Sequence, residues 1–422
     1  MKKKDQIYLK NLINKFSKNI VLDKKKYSLL ENAFSTEDIL SGIKVLLSQK
    51  ITMAEITKKF EHEFAKYVGA KYALMVNSGS SANLLGLASF NFKPGSIIIT
   101  TTLTFSTTVA PIYQLGLIPS FIDVIKDKFI ADISQIEKCI TKKTVAIMIP
   151  NLLGNIADWK KIKFFAKKYN LKIIEDSADT IGYKIDGSNT GKLSDIVTNS
   201  FYASHIITGA GFGGMVCFND KKLYERAKLL RGWGRSSTIF NESEDIKLRF
   251  ASKVDGIPYD GKYVFSEMGY NFLPSEISAA FALEQLKKLN NNISIRTRNF
   301  KFLLNFFKKY IDHFSLPQQN KGVKTAWLAF PLVIKNNKIK RANLQIFLEK
   351  RGIQTRTIFT GNILRQPIMK KKKYFKHKES EIVSNDVMKN GILIGCHHGL
   401  TKKNLEYICE SFNLFLKKNN LN

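Results

Sequence analysis

Four cysteines in 422 residues, at positions 139, 217, 396 and 409, form no C-x-x-C pair. They are too few and too dispersed for a disulfide framework or a local zinc knuckle. No run of about 18 apolar residues occurs, which excludes a membrane-spanning helix. The opening MKKKDQIYLKNLINKF is basic but has no apolar core and no small-residue cleavage site. A secretory signal is therefore not expected, and the cytoplasm is the expected compartment. Arginine is scarce, with fewer than a fifth as many arginines as lysines. Nucleic-acid binding would call for arginine-rich clusters with interleaved aromatics on a recognisable module. The net charge of +32 is instead a lysine bias in a chain also rich in Ile, Asn and Phe. The densest basic run, Met369 to Lys378, reads as a solvated loop. The alternative is a positive field that steers an anionic substrate such as a sugar nucleotide. No nucleic-acid or membrane partner is expected.

The composition that is present, 44% hydrophobic and 11% aromatic, is that of a globular chain and excludes general disorder. The length accommodates one large domain and a smaller one. Residues 52–70 read as an amphipathic helix. Strands at 96–100, 118–124, 144–150 and 171–176 alternate with helices at 107–116 and 158–170, and further strands follow at 197–202 and 215–219. That alternation predicts an α/β fold around a mostly parallel sheet. A helix over 274–289 has Pro274 in its first turn and a long apolar stripe. Beyond about residue 290 the pattern changes to a helix at 297–309, a strand at 325–334, a helix at 341–350, the stretch 352–359 and a terminal helix near 402–417. The expected division is an N-terminal segment 1–45, a large α/β domain 46–290 and a small α+β domain 291–422. The first 45 residues are lysine-rich and weakly patterned.

Three segments carry candidate chemistry. In VNSGSSANLLGLA (76–88) a strand runs into small residues and then a helix. Backbone N–H groups at such a helix start favour an anion, so Gly79 and Ser80 are candidates for a phosphate cradle; an ordinary capped helix is the alternative. In IIEDSADTIG (173–182) Asp176 ends a buried strand, the edge at which open α/β sheets bind ligands. There it either faces a heterocyclic cation or caps a turn. In SFYASHIITGAGFGG (200–214) a strand ends at Ser200 and leads to His205 and a glycine tract. The glycines match G-x-G-x-x-G but run toward a strand, which excludes a dinucleotide fingerprint. Trp233 reads as core packing.

In their order and spacing these segments, with LTFSTTVAPI, GGMVCFND, MGYNFLPSEISAA and FTGNILRQP, resemble the sugar-nucleotide aminotransferases of the DegT/DnrJ/EryC1/StrS family. The resemblance covers residues 35 to 418. It implies the pyridoxal-phosphate-dependent transferase fold of type I. It also implies roles: Gly79, Ser80 and Ser200 on the cofactor phosphate, Phe105 stacked on the pyridine ring, Asp176 on the ring nitrogen. Asp179 stands where the family often has a Gln that bonds the ring hydroxyl. Asn271 resembles the residue that reaches the phosphate from the other subunit of a homodimer.

One departure decides the expected chemistry. The residue after S-F-Y-x-S is lysine in the family's aminotransferases, and its amine joins the cofactor aldehyde. Here it is His205. Imidazole cannot form that bond, but it can act as a general base. The same exchange marks the family's 3-dehydratases of nucleotide-linked 4-keto-6-deoxyhexoses, which use pyridoxamine phosphate. The resemblance therefore implies C3 deoxygenation of such a ketosugar, with glutamate as candidate amino donor. One type of these enzymes carries an iron–sulfur cluster on cysteines after the W-G-R and E-D motifs. GWGRSSTIFNESEDIKLRF (232–250) has no cysteine, and Ser177 and Ala178 follow Asp176, so no cluster and no metal are expected. The glycine tract is one residue longer than usual, and the nucleotide and the sugar stay open. Arg356 and Arg365 are candidate donors to a diphosphate or a carboxylate, with a surface or interdomain ion pair as the alternative. An aminotransferase using another lysine and a non-catalytic family member are the competing readings.

Overall fold

The computed structural model describes residues 2–19, 25–29, 34–238 and 246–421. The larger body is built on strands β1 (Tyr72–Val76), β2 (Ile97–Thr101), β3 (Ile118–Ile122), β4 (Thr144–Pro150), β5 (Lys172–Asp176), β6 (Ile196–Ser200) and β7 (Gly214–Phe218). Their spatial order is β1-β7-β6-β5-β4-β2-β3, closed at the β3 edge by Phe375–Lys376. All are parallel except β7, which runs antiparallel between β1 and β6. The central strands are buried along nearly their whole length, which is why they read as continuous apolar runs rather than alternating ones. The helices are α1 (Lys3–Asn19), α2 (Thr36–Ser48), α3 (Glu55–Val68), α4 (Gly79–Ser89), α5 (Ser106–Gln114), α6 (Trp159–Lys168), α7 (Lys221–Arg231) and α8 (Glu276–Phe307). The smaller body has an antiparallel sheet of Phe314–Ser315, β8 (Ala329–Ile334) and β9 (Gly391–Gly395). Helices α9 (Arg341–Lys350), α10 (Ile382–Asn390) and α11 (Lys402–Lys418) accompany it. Among the described residues, no helix is long and apolar enough to cross a membrane.

Several sequence expectations change. The helices expected at 274–289 and 297–309 are one helix of 32 residues, α8. The polar run Asn290-Asn291-Asn292 does not break it, because Asn292 and Arg296 are buried and Arg296 Nη1 donates to the Leu328 carbonyl at 3.1 Å. The expected boundary near residue 290 thus falls inside a continuous helix. Ala282, Leu283 and Leu289 of α8 pack with Phe60, Phe64 and Phe201, while Phe300, Leu303 and Phe307 pack with Trp327, Phe330 and Phe412. The N-terminal segment is patterned after all. Helix α2 opens on a capping box between Ser35 and Asp38, and its buried Asp38 accepts from Lys288 and Gln285 of α8. Tyr27 and Leu29 sit in the core of the smaller body. Residues 352–359 make only single bridges, Tyr27 to Ile353 and Arg356 to Leu393. Trp233 is not core: it has a positive φ of 64° and a surface ring covered by the Arg235 guanidinium at 4.4 Å. The basic run is not merely a loop, since Phe375–Lys376 guards the edge of the large sheet, a place where lysine discourages further strand pairing.

Glu276, at the entrance of α8, ties that helix to the start of α3. Helix α3 begins at Ala54, which has no capping side chain. Glu276 supplies the cap from the far end of the sequence, accepting from the amides of Ala54 (2.8 Å), Ile56 (2.6 Å) and Thr57 (3.2 Å). Glu276→Ala leaves those donors unpaired in a buried site and is expected to cost about 3 kcal/mol, read as a lowered urea midpoint at unchanged slope.

Candidate functional site

The carboxyl ends of β1, β2, β4, β5 and β6 open on one cavity of about 760 Å³. Each strand delivers its following residues to the wall: Ser78 and Gly79 after β1, Phe105 after β2, Asn151 after β4, Asp176 at the end of β5, and Ser200 at the end of β6. This is the position where parallel sheets place ligands. Arg356 and Thr357 close it from the smaller body.

Gly79 starts α4, with Ser78 as N-cap accepting from the Ser81 amide at 3.1 Å. The first-turn amides of Gly79 and Ser80 and the helix dipole make an anion seat there. A Cβ at Gly79 would lie 2.4 Å from the Ser200 Cβ, so only glycine lets the helix start approach Ser200 this closely. The end of β7 crosses the same spot, where a Cβ at Gly214 would meet the Ser78 carbonyl at 2.3 Å. Phe105 is the N-cap of α5 and keeps about half of its surface open to the cavity and solvent.

Asp176 is buried. Its Oδ2 accepts from Asn83 Nδ2 and Thr108 Oγ1, both at 2.8 Å, and its Oδ1 from the Ala178 amide at 3.1 Å. Burial raises its pKa, and these three donors pull against that rise. No cationic side chain touches it among the described residues, so an ionised Asp176 calls for a positive group in the cavity. Asn83 lies one turn along α4 from Gly79 and is locked by Thr198 Oγ1 donating to its Oδ1 at 2.6 Å.

His205 sits on the turn after β6. Its Nδ1 is 3.2 Å from the Ser200 carbonyl and its Nε2 is 3.5 Å from Asp179 Oδ1. A carbonyl only accepts, so Nδ1 carries the proton and the Nε2 lone pair is on the side of Asp179. Burial drives the imidazole pKa down to about 4, and the buried Arg296 guanidinium adds to the fall. Burial, and then the neighbouring Asp176, push Asp179 up to about 8. Near neutral pH the pair is thus a neutral imidazole beside a protonated carboxyl, not an ion pair.

Gly79, Ser80, Phe105, Asp176, Asp179, Ser200, His205 and Arg356 all line this cavity. Arg365 does not. Its Nε donates to Asn385 Oδ1 at 3.2 Å and lies 3.8 Å from Glu381, so it serves a surface pair. Asn271 is also outside, exposed and bridged to Gly232. Asn83, Thr108, Asn151 and Tyr202 were not anticipated as part of the site. The i, i+4 spacing of Gly79 and Asn83 was the available signal for one of them. The four cysteines are free and buried, and they fall in three separate core clusters, Cys396 and Cys409 sharing that of the smaller body.

A model of the DegT/DnrJ/EryC1/StrS aminotransferase family matches residues 34–413. The chain belongs to this family. It is 34% identical over 382 residues to the lipopolysaccharide biosynthesis protein RfbH of Salmonella typhimurium, covering 87% of each chain. It is also 34% identical to the dTDP-4-dehydro-2,6-dideoxy-D-glucose 3-dehydratase of Saccharopolyspora spinosa, over 90% of this chain and 85% of that one. The solved structure of the E. coli GDP-4-keto-6-deoxy-D-mannose 3-dehydratase with bound hydrated pyridoxal phosphate superposes with a TM-score of 0.81 at 30% identity. That similarity covers 92% of this chain and 99% of the other. The fold is thus the pyridoxal-phosphate-dependent aminotransferase fold that the resemblance implied.

Proposed function

We propose that this protein is a cytoplasmic, pyridoxamine-phosphate-dependent 3-dehydratase of a nucleotide-linked 4-keto-6-deoxyhexose, serving deoxysugar and surface-polysaccharide synthesis. The observation that carries the reading is His205, in the family's lysine position, on a cavity also lined by Gly79, Ser80, Phe105, Asp176 and Ser200. The residues fit the group: a helix start and hydroxyl for a phosphate, an open aromatic face at Phe105, and a buried carboxylate at Asp176 with no cation of its own. When bound, the cofactor supplies an amine for the C4 ketone and a ring that accepts electrons as the C3 hydroxyl departs.

The chain's own residues do the rest. Gly79, Ser80 and Ser200 would hold the phosphate, and Phe105 would offer its ring to the pyridine. Asp176, supported by Asn83 and Thr108, would keep the ring nitrogen protonated. His205, with Nδ1 engaged by the Ser200 carbonyl and its unprotonated Nε2 3.5 Å from Asp179 Oδ1, would take the proton from the cofactor's methylene carbon. Its depressed pKa keeps it in the basic form throughout the neutral range. Asp179, protonated there, donates a hydrogen bond as the family's Gln does. Arg356 faces the diphosphate. Asn271 serves the partner's site in a homodimer; its exposure beside the surface apolars Tyr263, Phe265 and Met268 supports that reading.

Asp179 gives a pH signature. Above its value near 8 the carboxyl ionises and stops donating, so kcat/KM falls about tenfold per pH unit on that limb. Asp179→Asn keeps a neutral donor and removes the limb. Because its folded pKa is raised, the stability it contributes is present at low pH and is lost as pH rises through about 8.

The test of function is the mass of the product. Protein loaded with pyridoxamine phosphate and given glutamate is offered GDP-, CDP- and dTDP-linked 4-keto-6-deoxyhexoses. A sugar nucleotide lacking one oxygen is expected, from a preparation without stoichiometric iron. An amino sugar with every other oxygen retained means amino transfer and overturns the assignment.

A further inference from the structure

Helix α1 lies before the family-matched region, which begins at residue 34. It rests along α2 with Leu9, Leu12 and Ile13 half-buried and with polar contacts from Lys10 to Glu37 at 3.0 Å, Lys44 to Gln6 at 3.1 Å, and Thr36 to Asn14. None of its described side chains is buried. Ile7, Tyr8 and Phe16 are each more than half exposed, and so are Leu46, Leu47 and Ile51 at the end of neighbouring α2. Residues 1–20 carry six lysines against one acid, Asp5, within a chain of net charge +32. Lysines 3, 4 and 15 are exposed beside the open apolar side chains.

A folded chain gains nothing by holding large apolar groups in water on a helix outside its catalytic framework. An exposed helix that interleaves lysine with aliphatic and aromatic side chains matches an anionic lipid interface. Apolar groups enter the acyl boundary there, and ammonium groups meet the phosphates. Nucleic acid would use the charge but leave Ile7, Tyr8 and Phe16 without a partner, and α1 carries no arginine. We propose that α1 is a reversible docking helix for an anionic membrane surface, which holds the protein at the bilayer without spanning it. The expectation of no membrane partner rested on the lack of a spanning segment, and a helix lying in the surface plane needs none.

The full-length protein is sedimented with vesicles of phosphatidylcholine alone and with added phosphatidylglycerol. Most of the protein is expected to pellet with the anionic vesicles and to stay soluble with the neutral ones, with release as salt rises. Ile7→Ser with Tyr8→Ser and Phe16→Ser should weaken vesicle binding about tenfold or more. Lys3→Gln with Lys4→Gln and Lys15→Gln, which keeps the helix formers and the apolar side chains, should remove the preference for anionic lipid. Turnover should be unchanged in both variants. Failure of the wild-type protein to pellet overturns the proposal. So does unchanged binding in both variants, or binding of duplex DNA in place of vesicles. If the apolar variant alters oligomeric mass while no vesicle binds, the face belongs to a second copy and the proposal fails.

Discussion

His205→Lys abolishes C3 deoxygenation and gives a protein that holds pyridoxal phosphate through a borohydride-reducible bond. The imidazole lines the cavity with Nδ1 fixed by the Ser200 carbonyl and Nε2 unprotonated beside Asp179, and burial brings its pKa to about 4. A lysine amine in the same burial is likewise disfavoured as a cation and becomes nucleophilic. The substitution therefore exchanges a base for a covalent partner. His205→Asn separates the two effects, since the amide is neither: turnover drops about 100- to 10,000-fold with cofactor affinity nearly kept. Intact-protein mass after borohydride reads the covalent bond, and product mass reads the deoxygenation. Retained oxygen loss in His205→Lys would remove His205 from the mechanism.

Asp176→Asn is the second large effect. Its carboxylate oxygens receive three donors, from Asn83, Thr108 and the Ala178 amide. An amide turns one acceptor into a donor aimed at other donors, and it can no longer hold a ring proton. Turnover is expected to fall about 100- to 1,000-fold, with weakened cofactor binding. The cofactor-free protein should lose at most about 2 kcal/mol, because the unpaired donor is partly offset by removal of the buried charge. A buried carboxylate with no cation costs stability, and the amide removes that cost. A large loss of stability in the cofactor-free variant would mean that Asp176 is structural rather than functional.

Much of the larger body is legible in the sequence, because buried parallel strands and their helices leave unmistakable runs; 144–150 and 341–350 are recovered residue for residue. Gly79, Ser80, Ser200, Asp176 and His205 converge on one cavity, as the order of their motifs implies. Elsewhere, long-range contacts overrule local signals. Three asparagines read as a break, yet Asn292 is buried in α8. Arg365 reads as an anion donor, yet Asn385 and Glu381 take it. Trp233 reads as core because tryptophan usually is, but its backbone turns left-handed and the ring is left outside. Helix α2 announces itself through Ser35 and Asp38, a signal weaker to the eye than the surrounding lysines.

The docking of Tyr27 into the smaller core sets an order of events during synthesis. Its amide donates to the Gly352 carbonyl at 3.1 Å, its carbonyl accepts from Gln354, its hydroxyl reaches the Gly395 carbonyl, and Leu29 donates to Gln354 Oε1. These partners leave the ribosome more than 320 residues later. The large sheet can close while translation continues, but residues 25–29 must wait for the last part of the chain. Until then the core around Phe300 and Phe330 lacks β9 and Phe412 as well as the docked side chains of Tyr27 and Leu29. A nascent chain arrested before residue 395 would therefore hold a finished cofactor sheet and an open hydrophobic seam, the species a chaperone would meet.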